Sequence, residues 1–353
     1  MKVLILPFNP GSMGSTTVEA LNNINGITAK GLFVGRHKYQ QEGKNCTFVD
    51  LGLKNHIVNS VLNRIIAFFY FLRLVLWADN VYYIWNSFLP FGIDIKIVSL
   101  LKKNALIEWV GSEIRNPEIA KKLSPYMEQA YNNGYEYKAL ENADKSYQLQ
   151  KKFSNAGFYP IVVPEMNLYI FNELFSKLFS INYRINIKNF KANYPKNDKP
   201  IIVHTPTAAI TKGSNIILPI IEELKQNYDF DFILLNGLPR EEVHRIVQDC
   251  DIFLDQIMLG SHGVATCEAM AMGKPTVCYI MPAVFEAGLP KESPIVNANP
   301  DTLKATLIEL ITNASLRKEI GVKSRQYIEK YHDADKIAVD VYNVFKEIAL
   351  LKK

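Results

Sequence analysis

Short apolar runs alternate with segments of helical spacing along the whole chain. KVLILPF (2–8) reads as a first buried strand, NPGSMGS (9–15) as the loop it ends in, and TTVEALNNI (16–24) as a helix. GLFVG, CTFVDL, NVYYIWN and ALIEWVG are further strand-like runs, with helical segments between several of them. Residues 116–142 are polar and aromatic and read as helices. A second series starts near Pro200. PIIVHTPT, FDFILLNG, DIFLDQ and PTVCYI are strands, and GSNIILPIIEELKQN, PREEVHRIVQDC and GVATCEAMAM are helices between them. Such alternation predicts α/β architecture with parallel sheets.

Two successive series in 353 residues fit two domains rather than one core. The expected division is 1–165 for a first Rossmann-like domain, 166–333 for a second, and 334–353 for a closing helix. The junction is placed near Val163-Pro164-Glu165, because 166–199 is rich in Asn, Lys, Phe and Tyr without a strong period. In the last helix Ile337, Val341, Phe345 and Ile348 recur at helical spacing, which predicts one buried face packing back on the first domain.

Composition narrows the field only slightly. A net charge of +5, from 40 basic and 35 acidic residues, is too mild to argue for nucleic acid, although a local basic patch could meet an anionic membrane surface. Cys46, Cys250, Cys267 and Cys278 show neither a disulfide framework nor metal-ligand spacing, so a reducing compartment and no metal are expected. The N-terminal apolar run stops at Pro7, too early for a signal-peptide core, and the expected location is cytoplasmic. The longest apolar stretch, IIAFFYFLRLVLWA (65–78), is interrupted by Arg73 and is shorter than a spanning helix. It reads as a helix packed on a sheet or as an amphipathic helix resting on the inner face of the cell membrane.

The candidate chemistry concentrates in DQIMLGSHGVATCEAMAMGKPTVCYI (255–280). A strand ends at Asp255, and a loop carries Gly260, Ser261, His262 and Gly263. A helix then opens at Val264 and is stopped by Gly273 and Pro275. Ligands of open α/β sheets bind beyond the carboxyl ends of strands. Free amides and the helix dipole make this step an anion site suited to a diphosphate. Glu268 lies roughly 6 Å further along the axis, at 1.5 Å per residue, where its carboxylate can take ribose hydroxyls.

G-x-x-x-x-E-A-M-A-x-G-K-P followed by a strand resembles the donor-site signature of glycosyltransferase family 4, the glycosyl transferases group 1. The resemblance implies a GT-B fold: two Rossmann-like domains facing each other across a cleft, with the C-terminal helix returning to the first. It implies a sugar moved, with retained configuration, from a nucleotide-diphosphate sugar of UDP or GDP type to a cell-surface glycan or lipid-linked acceptor. No cofactor and no metal are implied. Glu268 then binds the ribose, and Gly260, Gly263 and Val264 line the diphosphate. Lys212, within PIIVHTPTAAITKGSN, grips the diphosphate beside Gly213, with His204 facing the cleft at its strand's end. Leu238 and Pro239 cup the base, and Gly11 lies in the loop after the first strand. WVGSEIR resembles a G-S-[DE]-I-R motif, which puts Ser112, Glu113 and Arg115, with Trp85 upstream, on the acceptor side.

Departures from the pattern matter too. The family's second glutamate, eight residues before the first, is Gly260 here, and an arginine expected before Lys212 is replaced within Thr207-Ala208-Ala209. A first-domain cleft histidine has no counterpart near Val110–Ser112, which leaves His262 as its partial substitute, so Lys212, His262 and Glu113 are the catalytic candidates. Asp249-Cys250-Asp251 mimics a D-x-D metal motif but falls between a helix and a strand, and Asp333-Ala334-Asp335 reads as a helix start. His37, His56, His244 and His332 show no partner spacing. A partner subunit without activity and a sugar-nucleotide epimerase of the same fold stay open as alternatives; a nicotinamide dehydrogenase is disfavoured, since no G-x-G-x-x-G follows a strand.

Overall fold

The computed structural model describes residues 1–35, 43–51 and 57–352, the side chains of 57–61 excepted. The chain divides into two compact units. The first holds Met1–Arg115, Ala143–Arg184 and Ala334–Lys353, and the second holds Asn116–Asn142 and Ile185–Asp333.

The first unit opens with β1 (Lys2–Pro7), α1 (Met13–Asn22), β2 (Thr28–Val34), β3 (Cys46–Val49) and α2 (Ile57–Trp77). It continues through β4 (Asn80–Ile84), α3 (Ile93–Leu100) and β5 (Asn104–Trp109). The chain then passes to the second unit for α4 (Pro117–Leu123) and α5 (Pro125–Asn132). It returns for α6 (Ala143–Asn155), β6 (Tyr159–Val162), α7 (Pro164–Asn167) and β7 (Phe179–Ser180). The seven strands run in the order β3-β2-β1-β4-β5-β6-β7, all pairs parallel. Strands of such a sheet are covered on both faces, which is why KVLILP is buried at five of six positions instead of alternating.

The second unit continues with β8 (Ile201–His204), α8 (Ala209–Lys212), α9 (Ser214–Leu224), β9 (Asp231–Leu234), α10 (Arg240–Asp249) and β10 (Ile252–Leu254). Then come α11 (Val264–Ala271), β11 (Thr276–Cys278), α12 (Pro282–Glu286), β12 (Val296–Asn297), α13 (Leu303–Thr312) and α14 (Ala314–Tyr331). Its five strands are parallel in the order β12-β11-β10-β8-β9. Asn313 caps α14 by accepting the Leu316 amide, and Asn116 caps α4 by accepting that of Glu118.

The final helix, α15 (Ala334–Leu351), joins the core of the first unit with Ile337, Val341, Phe345 and Ile348, beside Val3, Ile5, Val18 and Tyr82. Burying each of those four side chains is worth about 1.5–3 kcal/mol. Asn23 donates to Asp335 at 2.8 Å and fastens the start of α15 to the end of α1.

The unit boundary lies at Arg184–Ile185, later than the expected 165–166. β7 extends the first sheet, Phe179 and Ile181 enter its core, and the buried Arg184 guanidinium pairs with Glu108 of β5 at 2.6 and 2.7 Å. Residues 116–142 join the second unit instead of the first. There Glu136 accepts the amides of Ile210 and Thr211 at the start of α8, and Tyr126 donates to Asp301 at 2.5 Å.

The stretch expected as a helix at 65–78 forms the second half of α2 and is amphipathic. Ala67, Phe71, Leu74 and Val75 are buried, whereas Leu62, Ile65, Ile66, Phe69, Tyr70 and Leu76 are exposed. No helix among the described residues is long and apolar enough to cross a membrane.

Candidate functional site

In the second sheet the order reverses between β8 and β10, so the crevice at their carboxyl ends is the default ligand position. Two loops lead out of it. One runs from β8 into α8 and ends with Lys212 and Gly213; the other runs from β10 through Asp255, Gly260 and His262 to α11. Gly213 has φ +82°, and a Cβ there would lie 2.4 Å from Ile257 Cγ1, so only glycine lets these loops touch. Gly260, at φ +75°, is pressed against Met281, with room for no larger side chain without displacement.

Lys212 donates to the buried Asp255, which also accepts from Thr266 Oγ1 of α11. Burial pushes the Asp255 carboxyl up, but the Lys212 ammonium and these hydrogen bonds outweigh it and hold the group below its ordinary range. The lysine expected to grip a diphosphate thus stands at the switch point with its charge balanced by an aspartate.

Glu268 sits on α11, where Arg240 donates to Oε1 and His244 Nε2 lies 3.0 Å from Oε2. Both partners belong to α10, one helical turn apart on one face. His244 showed no partner spacing in sequence, and the structure supplies its partner 24 residues away. A small cavity of about 30 Å³ beside Glu268 is lined by Thr205, Val243, His244 and Ala265, among others. The base-loop candidates lead straight into this face. Gly237 turns at φ +74°, Leu238 is half-buried, and the exposed Pro239 is the N-cap of α10.

Gly263 is the N-cap of α11 with open space beside its Cα, and Val264 is half-buried. Two of the histidines expected here are placed differently. His204 is fully buried, with Nδ1 2.8 Å from the Leu254 carbonyl and Nε2 2.9 Å from Ser214 Oγ. Burial pushes it down to about 4, so it is a neutral brace between β8, β10 and α9 and does not face a ligand. His262 is likewise buried and pushed down by burial to about 4; its ring lies 5.8 Å from that of His332. A buried neutral imidazole has no access to a substrate, which corrects its assignment as a catalytic group.

In the first unit the order reverses between β1 and β4. Gly11 (φ +55°) follows β1, Trp85 (φ +78°) follows β4, and Ser112 and Glu113 follow β5, so all stand at the carboxyl ends of neighbouring strands. A tryptophan at positive φ is strained, a state that concentrates at functional sites. Glu113 accepts the Val110 amide, and its Oε2 is buried with no hydrogen-bond partner among the described residues. Burial pushes its carboxyl up to about 7, against the pull of the Val110 and Gly111 amides and Arg115. Arg115 does not face a ligand: its buried guanidinium pairs with Glu165 at 2.9 Å.

Asp251, half of the D-x-D lookalike, accepts the amides of Lys196, Asn197 and Ile201 and ties the start of β8 to β10. Asp335 lies in the first turn of α15, as its sequence context suggests. His37 and His56 lie outside the described residues.

Residues 221–327 match the family model "Glycosyl transferases group 1". A curated relative, an uncharacterized glycosyltransferase (MJ1178) of Methanocaldococcus jannaschii, is 22% identical over 160 residues, spanning 39% of this chain and 45% of the relative. The chain thus spans about half the length of that relative. Among solved structures, a sucrose-phosphate synthase from Thermosynechococcus elongatus aligns over 99% of this chain and 100% of its own, with TM-score 0.66 and 12% identity. A trehalose-6-phosphate synthase, solved in a study of glycosyl transfer with retention, aligns over 98% and 99%, with TM-score 0.56 and 13% identity. The resemblance read from the sequence holds at this level: the chain has the α/β fold of the GT-B glycosyltransferases, and its residues 221–327 match the glycosyl transferases group 1 model.

Proposed function

We propose that this GT-B chain is a retaining glycosyltransferase that takes a sugar from a nucleoside diphosphate sugar of UDP or GDP type. The observation that carries the reading is the grouping of Lys212, Glu268 and the start of α11 at the β8/β10 switch point, with Glu268 and α11 inside the matched residues 221–327. In this reading Glu268, oriented by Arg240 and His244, accepts hydrogen bonds from both ribose hydroxyls. Leu238 and Pro239 flank the base. Charge that develops on the leaving diphosphate is met by Lys212 and by the amides following Gly263, groups already in place before bond breaking. The residues at the strand ends of the first unit, Gly11, Trp85, Ser112 and Glu113, take the acceptor. Glu113, poised near 7, exchanges a proton with the acceptor hydroxyl.

The acceptor in this proposal is a lipid-linked or cell-surface glycan, with the protein resting on the inner face of the cell membrane. What supports it is α2, whose exposed apolar residues share the helix with Arg64 and Arg73 and with no acidic residue. That combination suits an interface of anionic lipid. A second reading, a partner subunit without turnover, draws on Gly260 in the place of a carboxylate and on the neutralisation of Lys212 by Asp255.

Thermal unfolding with a panel of nucleoside diphosphates tests the choice. A ligand at 100 times its Kd stabilises by about 2.7 kcal/mol. One base should shift the transition, and Glu268→Ala should weaken that nucleotide by about 1.5–3 kcal/mol for each charge-assisted bond lost. No shift with any nucleotide would favour the subunit reading; an undiminished shift in the folded Glu268→Ala protein would sink the ribose assignment.

A further inference from the structure

We propose that His262, Cys267 and His332 form a buried binding site for a thiophilic d¹⁰ cation, Zn²⁺ or Cu⁺. The inference is independent of the transferase reading, because none of the three residues is assigned there to donor or acceptor.

The three side chains come from separate places in the second unit. His262 lies in the loop after β10, Cys267 on the first turns of α11, and His332 at the C-cap of α14. Their ligand atoms all lie within 4.8 Å of one another, and all three residues are buried. Cys267 Sγ is 3.7 Å from His332 Nδ1. A zinc ion about 2.0–2.1 Å from nitrogen and about 2.3 Å from sulfur sets a tetrahedral N···S separation of roughly 3.5 Å. The observed pair thus stands near bonding geometry, with the His262 ligand atom within 4.8 Å of both. His332 is fixed for the purpose, since its amide donates to the Ile328 carbonyl at 2.9 Å and its carbonyl accepts the Ile185 amide at 2.7 Å.

The donor set decides the class of ion. Two imidazoles and one thiol, with no carboxylate among them, do not suit Mg²⁺ or Ca²⁺, which want oxygen ligands. Nitrogen and sulfur select Zn²⁺ or Cu⁺. A thiol in an apolar interior keeps its proton until a metal binds, and a coordinating thiol is deprotonated outright. Binding therefore exchanges the S–H bond for an S–metal bond and releases one proton to solvent. A bound ion would tie the loop between β10 and α11 to the end of α14.

The full chain, stripped with chelator and kept reduced, is dialysed separately against Zn²⁺ and against Cu⁺, and bound metal per chain is measured by mass spectrometry. Wild type and Cys46→Ser should each hold about one equivalent of one of the ions, whereas Cys267→Ser and His332→Gln should fall by about tenfold or more. X-ray absorption of the loaded wild type should show one sulfur and two imidazole nitrogens, a readout that does not depend on the variants folding. Less than about a tenth of an equivalent of both ions in wild type, or a loaded spectrum without sulfur, overturns the site. So does unchanged loading in either folded variant.

Discussion

Replacing Glu113 with glutamine removes a charge from a buried carboxyl while keeping its shape. In the folded chain burial pushes this group up to about 7, against 4.5 for an ordinary glutamate. Below pH 4.5 both folded and unfolded chains hold the proton, and the carboxyl contributes nothing to the pH dependence. Between 4.5 and 7 the unfolded chain loses it first, so the folded state holds more protons and raising the pH destabilises the fold. Above 7 both are ionised, and the folded state bears the full penalty. At about 1.4 kcal/mol for each pH unit of that gap, the penalty is about 3 kcal/mol. The assay is urea unfolding of wild type and Glu113→Gln from pH 4 to pH 8, followed by tryptophan fluorescence. All three tryptophans, Trp77, Trp85 and Trp109, lie in the first unit, so the signal reports the unit that contains Glu113. The stability difference should move by about 3 kcal/mol in favour of the glutamine variant as pH rises. A difference flat to within about 0.5 kcal/mol would refute the claim that this carboxyl is buried.

Three further outcomes are expected. Arg184→Met leaves Glu108 charged and fully buried, and should cost about 3–5 kcal/mol by the same fluorescence assay. Adding Glu108→Gln should restore most of that, and a single variant within about 1 kcal/mol of wild type would show that the pair does not hold the chain at Arg184. Lys212→Met strands the buried Asp255, so its melting temperature by circular dichroism should fall more at pH 7 than at pH 4, where the aspartate can take a proton; an equal loss at both would contradict the pairing. Phe69→Ser with Leu76→Ser, at side chains 61% and 58% exposed, should abolish flotation with anionic liposomes while leaving stability within about 0.5 kcal/mol for each change; unchanged flotation would count against the membrane face.

The sequence by itself determined the two parallel sheets, the start and stop of α11 and the buried stripe of α15, because each follows from local periodicity and from Gly and Pro at element ends. It also located Glu268, since a carboxylate one turn into a helix is set by spacing along a single segment. Only the tertiary structure decided what faces what. His204, at the end of β8, and Lys212, at the end of α8, are both expected from sequence to face the donor, yet one is fully buried as a neutral brace and the other donates to Asp255. Arg240 and His244 reach Glu268 because α10 packs beside α11, a relation no window of sequence contains. The junction at Arg184 rests on a pairing with Glu108 across 76 positions, and Cys267 meets His332 across 65. Local pattern fixes the conformation of a segment through its own backbone and side chains. Charge partners, burial and ligand sets are fixed by which segments the fold brings together, and these depend on contacts between residues far apart in the chain.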